Sequence, residues 1–470
     1  MEWFQSTFEE PVNVALKRAN IINRPLASAG TWLSFLLPSA VVLGSIRNPE
    51  ASEQYHVTAV VATGMFGAAA ALLLHLIHAS RTEGVSARAF SALYFVPSAL
   101  TTILLIMNSQ KGKDCSAFFG SNSIDISNIT GIIFSLFGGL VSTFPFCMGV
   151  LIVMQLLPGS FSYGEASCIV QGIVLFLFSA VTNLSTRVND IHLDAMEKST
   201  VILQVGLLGL GVICICVSMY PGLRDTRPFC GLIVGVMGGL VVPALYIIMH
   251  ENPVLWIIHY ILDDLQRVYL MVYWVVCSGV AIMAVCTQVQ DSHQASTAVR
   301  KTFHLLVLAV YLPGIAWECT LMHLASGIAF AALILTEIVR LLQVGTLGEN
   351  LQQGFLVFAD EKDGAGIALT PLYLLVGCSV SLWLHPARCA LRANVALPMM
   401  SGLLSVGVGD TAASIIGSAY GKHKWPGFLP LTVYTVLRAT FAVVAISIAE
   451  AIMDQVDNLV LPLLMYILLI

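Results

Sequence analysis

Apolar runs long enough to cross a bilayer follow one another almost from end to end of this chain, and that pattern constrains the fold before any motif is read. In the first half they fall at about 28–46, 56–78, 86–107, 131–156, 164–183, 200–220 and 229–249, each near the ~20 residues that a membrane-spanning helix needs. Backbone N–H and C=O groups in lipid must bond within their own segment, so runs of this length are helices. The expected fold is all-α, a polytopic transmembrane helical bundle of about 13–14 spans. Only 10% of the 470 residues are charged and 57% are hydrophobic, with a mean hydropathy of +0.85. Soluble domains carry about 25% charged residues. With a net charge of −5, no polybasic tract argues for nucleic acid.

By composition the chain divides into a polar leader at 1–27, a transmembrane region at 28–288 and a second one at 289–470. Lys17, Arg18 and Arg24 favour a cytosolic N-terminus, and the first apolar run is expected to act as an uncleaved anchor. Counting spans from there, the loop at 108–130 is lumenal and carries the glycosylation sequon Asn128-Ile-Thr130. Arg81, Arg88, Arg224 and Arg227 fall in cytosolic loops, and Asn183-Leu-Ser185 lies too close to an apolar run to act as an acceptor. The run from Trp256 to Leu262 is too short to span and is broken by Asp263-Asp264, so it reads as interfacial. A span at about 267–288 returns to the cytosol, and 303–341 holds two spans with a turn near Trp317-Glu318. A polar stretch from Gly345 to Gly366 follows, then spans at about 367–385 and 394–409. The basic connection from Arg388 to Arg392 falls on the lumenal side and is the one misfit. Gly231, Gly235 and Gly239 form two overlapping GxxxG spacings, read as a helix-packing face. The 11 cysteines lie mostly in apolar runs with no Cys-x-x-Cys pair, and read as small hydrophobes.

Ionisable residues concentrate at a few places. The stretch 401–427 begins as a small-residue membrane helix, meets a carboxylate at Asp410, and closes on Gly421, Lys422, Lys424 and a Pro-Gly stop at Gly427. An acid at the end of such a helix is a functional candidate by default, and two lysines beyond it offer phosphate-binding charge. The alternative is a packing helix followed by an ordinary basic loop. It is not a P-loop, because Gly417 and Gly421-Lys422 are separated by three residues and His423 stands where Ser or Thr should be. Arg300 and His304 share a helix face at i, i+4 spacing beside Lys301. A positive-inside flank accounts for the two cations but not for the histidine. Asp360, Glu361 and Asp363 suit magnesium held by one or two carboxylates plus substrate phosphates, and they also suit a solvated loop. Glu165 reads either as a bonded helix-start residue or as a catalytic acid.

The run Gly-Val-Gly-Asp410-Thr-Ala-Ala-Ser, with Gly421-Lys-His-Lys-Trp-Pro-Gly427 after it, resembles the nucleotide-binding end of the dolichol kinase family. Ser160-Phe-Ser-Tyr-Gly-Glu165-Ala, Arg300-Lys301-Thr-Phe-His304 and Asp457-Asn458-Leu-Val-Leu-Pro462-Leu agree with it. Arg-Lys-x-x-His is shared more widely with CTP-using polyprenol, phytol and diacylglycerol kinases. The resemblance is closest from about residue 290 onward. It implies an endoplasmic-reticulum membrane enzyme, its site facing the cytosol, that moves the γ-phosphate of CTP onto dolichol with Mg2+ or another divalent cation. It further implies that Gly417, Ser418, Gly421, Lys422, Lys424 and Gly427 hold the nucleotide. Asp410, Asp360 and Asp363 serve the metal, and Arg300, Lys301, His304 and Asp410 the transfer. A cytidylyltransferase of the CDP-diacylglycerol synthase kind and a membrane transporter are the rival readings. Transporters usually show paired repeats with broken helices in both halves, whereas the ionisable clusters here sit mainly in the second half.

This sequence departs from the family in one place. After Trp-Pro-Gly the family runs into Thr-Lys-Lys and then a Glu-Gly-Thr segment, but here Gly427 leads straight to Phe428-Leu-Pro430-Leu. The chain from there to Asp457 also reads about one span short. The expectation is a protein that folds as the family does but is poorly active or inactive as a kinase.

Overall fold

A computed structural model describes residues 5–25, 27–81, 87–109, 126–188, 190, 192–290, 297–358, 366–386, 389, 397–410, 441–447 and 457–469. Among the described residues there is no strand. Among those residues, seven helices are long and apolar enough to cross a membrane, and six shorter apolar helices accompany them. An all-α polytopic membrane protein is therefore what the sequence folds into. The chain divides into two compact units, the first made mainly of residues up to Thr182 and the second of residues from Asn183 onward.

In the first unit, α1 (Glu10–Arg18) and α2 (Leu36–Arg47) are followed by α3 (Glu53–Arg81), α4 (Ala87–Ser109), α5 (Ile126–Leu156) and the start of α6 (Tyr163–Arg187). The middle of α3 is rich in small residues, and Val61, Ala62, Met65, Ala68 and Ala69 are fully buried there. That lets α4 and α5 close against it and each other. Without a hydrophobic driving force inside lipid, such close packing of small residues is what holds helices together. Phe95, Ile103, Met107, Ile133 and Phe137 point outward, as lipid-facing side chains do. The sequon residue Asn128 sits in the first turn of α5 rather than in a loop.

The second unit holds α7 (Ala195–Met219), α8 (Thr226–Val236) joined through a π-turn to α9 (Val242–Met249), and the short α10 (Pro253–Leu262). Then come α11 (Leu265–Gln290), α12 (Thr297–Trp317), α13 (Cys319–Leu341), α14 (Gly345–Phe358), α15 (Leu369–Leu384), a π-helix at Leu403–Asp410 and α16 (Asp457–Leu469). Pro313 has no N–H to give the Ala309 carbonyl four residues back. Tyr273 of α11 supplies the missing donor, its hydroxyl 3.1 Å from that oxygen, and Trp274 Nε1 donates to the neighbouring Val310 carbonyl at 3.1 Å. A proline in a membrane helix is tolerated on this condition.

Three sequence expectations are corrected here. Gly231, Gly235 and Gly239 have open space where a Cβ would go, so they form no packing face among the described residues. The close approaches occur instead at Gly377, whose added Cβ would lie 2.1 Å from the Asn458 carbonyl, and at Gly402, 2.1 Å from the Gly377 carbonyl. Gly402→Ala therefore forces two backbones apart. It is expected to cost about 1–3 kcal/mol, read as a lower midpoint in detergent unfolding, while Gly235→Ala leaves the midpoint unchanged. The polar stretch after Gly345 folds as α14, entered at a glycine with φ +55°. Finally, two cysteines are not mere hydrophobes, because Cys319 and Cys389 form a disulfide.

Contacts in this unit sort its turns into two sets. Lys198–Glu251 at 2.5 Å, Arg267–Glu318 at 3.2 Å and Cys319–Cys389 join one set. Gly345 against Thr226, Phe303 against Phe358, and Arg340 against Gly366 join the other. The alternation of spans along the sequence divides the same turns in the same way.

Candidate functional site

Two separate motifs, and the end of the helix that precedes a third, meet at one end of α12. Arg300, Lys301 and His304 lie in its first turns, and His304 is buried, only 7% exposed. One residue before it, the Phe303 ring meets the Phe358 ring edge-on, with centroids 5.8 Å apart. Phe358 ends α14, two residues before Asp360 in the chain. One turn after His304, Leu308 packs on Gly407, where an added Cβ would lie 3.3 Å away. Gly407 belongs to the π-helix that ends at Asp410. π-helical turns cost hydrogen-bond geometry and often mark functional sites.

The floor beneath this end is built by backbone contact. The segment 397–410 runs against α15, where Ser381 Oγ donates to the Met399 carbonyl at 2.8 Å and Gly402 touches Gly377. Asn458, 6% exposed at the start of α16, lies against Gly377, its carbonyl 2.1 Å from where a Cβ there would be. The Asp457-Asn458 motif and the Asp410 helix thus meet the same short stretch of α15.

Sequence reasoning passed over Glu337 and Arg340. They lie on one face of α13 at i, i+3 spacing, a signal for an ion pair at the end of a span. The Arg340 guanidinium binds both Glu337 oxygens, Nε to Oε2 at 2.8 Å and Nη2 to Oε1 at 2.6 Å. It also donates to Gln352 Oε1 at 2.5 Å and to the Gly366 carbonyl, and it stacks over Phe355 at 4.1 Å. Glu337 Oε1 accepts the Ala368 N–H at 2.8 Å. One buried pair therefore grips both stems of the acidic stretch, at 352–355 before it and at 366–368 after it.

Glu165 belongs to the first unit and is a bonded helix-start residue. Ser162 and Glu165 form a reciprocal cap, the Glu165 carboxylate accepting the Ser162 N–H at 2.9 Å and Ser162 Oγ the Glu165 N–H at 3.3 Å. Its other oxygen pairs with Arg24 at 2.8 Å, with the side chains 5% and 0% exposed. Breaking one partner of such a buried pair costs about 3–5 kcal/mol, so Glu165→Ala is expected to lower the membrane-extracted yield sharply. Gly164 beside it has no room for a side chain, since a Cβ would meet the Gly30 carbonyl at 1.9 Å.

Asp360, Asp363, Gly417, Ser418, Gly421, Lys422, Lys424 and Gly427 lie outside the described residues. Arg300, Lys301 and Asp410 are placed by their backbone. Among the described residues, no three His, Cys, Asp or Glu side chains gather as a metal centre.

Fold and site define a polytopic membrane protein whose α12 histidine motif and π-helix ending at Asp410 converge at one end of its second unit. A family model for dolichol kinase matches residues 140–424, and the chain belongs to the dolichol kinase family. It is similar to dolichol kinases from Bos taurus and Homo sapiens, 32% identical to each over 360 residues, 68% of this chain and 66% of theirs. A dolichol kinase from Schizosaccharomyces pombe is 27% identical over 256 residues, 46% of this chain and 50% of that one. The chain spans 66% of the length of the first two relatives. No solved structure matches it. The family match reaches further toward the N-terminus than the sequence motifs alone suggest, and it ends at Lys424, three residues before Gly427.

Proposed function

We propose that this protein is a CTP-dependent dolichol kinase of the endoplasmic-reticulum membrane, with its site on the cytosolic face. The observation that carries the reading is the convergence of α12, the end of α14 and the π-helix. These bring a histidine, the entry to an acidic stretch and Asp410 to one end of the bundle. Cations, carboxylates and a glycine-rich turn at one interface are what phosphoryl transfer needs, because it depends on positioning and charge neutralisation.

In this reading Lys422 and Lys424 hold the triphosphate, with Ser418 and the backbone around Gly417, Gly421 and Gly427. Arg300 and Lys301 neutralise phosphate charge, and His304 contacts phosphate or takes the proton from the dolichol hydroxyl. The chemistry of Asp410, Asp360 and Asp363 suits a hard divalent cation. Mg2+ held by these residues would offset charge on the transferring phosphate. Asp410 binds that cation or orients the acceptor hydroxyl. Arg340 fixes Gln352 in the α14 stem and Gly366 beyond the acidic stretch.

Product analysis tests the reaction: microsomes carrying the protein should release CDP and dolichyl phosphate from CTP and dolichol. Release of pyrophosphate would assign a cytidylyltransferase instead. Orientation is tested separately. Epitope tags placed at 291–299 and at 422–427 should be digested by protease added to sealed vesicles, and protection of both would reverse the assignment.

A further inference from the structure

The turn between α12 and α13 is tied to the segment after α15 by a covalent bond. Cys319, 4% exposed at the head of α13, is bonded to Cys389, 70 residues on, with their Cα atoms 5.7 Å apart. Cytosolic thiols are kept reduced, so a structural disulfide belongs to an oxidising compartment. Two ion pairs mark the same end of the unit: Arg267–Glu318, whose acid directly precedes Cys319, and Lys198–Glu251. The alternation of spans puts all of these turns opposite the end that carries His304 and Asp410. Cys319 also packs with Ile315, Met322, Leu382, Met399 and Leu403, the cluster that seats the segment leading to Asp410.

We infer that Cys319 and Cys389 are an oxidation site on the lumenal face, and that their disulfide staples the α12–α13 turn to the segment that carries Asp410 at its far end. The inference rests on the orientation proposed above. Two thiols lose two protons and two electrons as the S–S bond forms. The disulfide of a lumenal thiol–disulfide oxidoreductase accepts them through a mixed disulfide and leaves as a dithiol. The staple also gives the basic Arg388–Arg392 connection a reason to lie in the lumen against the positive-inside tendency.

The test starts with full-length protein in microsomes, denatured in excess N-ethylmaleimide and digested without reduction. The Cys319 and Cys389 peptides should appear as one linked species, two hydrogens lighter than their sum, that dithiothreitol separates. Both peptides carrying the alkylating group would overturn the inference. In sealed vesicles a membrane-impermeant phosphine should leave the link intact until detergent opens them; loss of the link before that overturns its lumenal placement. C319S, C389S and the double variant should lower the detergent melting point by the same amount, and additive shifts would exclude a staple. Wild-type peptide mapping decides the bond even if the variants fail to fold. CTP turnover is scored separately, on the chain with the Thr-Lys-Lys and Glu-Gly-Thr segment restored, so inactivity of that chain with the linked peptide present refutes the kinase reading alone.

Discussion

Dolichyl phosphate formation is expected to fall by about a thousandfold or more when Asp410 is replaced by asparagine, with the protein still in the membrane at its usual level. Asparagine keeps the shape of the side chain and removes its charge, so the π-helix over Leu403–Asp410 and the Gly407–Leu308 contact have no steric reason to change. What is lost is an anion that can hold a divalent cation or orient a hydroxyl. Single charged contacts to the transferring phosphoryl group are worth about 10³–10⁵ in turnover. The measurement is transfer of label from γ-labelled CTP to dolichol in microsomes, with protein level read beside it. Turnover equal to wild type would sink the assignment of Asp410. A fall in protein level matching the fall in activity would place Asp410 in the fold rather than the chemistry.

Restoring a Thr-Lys-Lys and Glu-Gly-Thr segment after Gly427 is expected to raise activity by roughly a hundredfold to ten-thousandfold. Hydrogen bonds to charged groups contribute about 1.5–3 kcal/mol each, and in the proposed reading the two lysines of that segment would face phosphate. At about 1.4 kcal/mol per factor of ten, the pair spans that range. Complementation of a dolichol-kinase-deficient cell by the two chains side by side measures it. Equal rescue would show that Lys422 and Lys424 suffice.

Helix ends set by a break in hydropathy were legible in the sequence. Glu318 interrupts an apolar run, and the turn between α12 and α13 falls there. α14 was hidden because its apolar residues, Leu347, Leu351, Phe355 and Phe358, recur at helical spacing inside a stretch whose average is polar. Packing glycines were misplaced for a related reason. Spacing within one helix says which face is small, as at Gly231 and Gly235, but not whether another helix arrives there. Gly377 and Gly402 lie on different elements, and only tertiary structure brings them together. The pairing of Cys319 with Cys389 was unreadable on the same ground. For the site, residue type pointed to His304 and Asp410. The buried pair of Glu337 and Arg340 was missed because it sits at the end of an otherwise ordinary span.

That pair also governs how a single change spreads. Arg340 grips Gln352 and Gly366 at once, so both stems of the acidic stretch share one clasp. A point change at Arg340 therefore releases the two ends together, whereas a change at Gln352 alone leaves the contact with Gly366 in place.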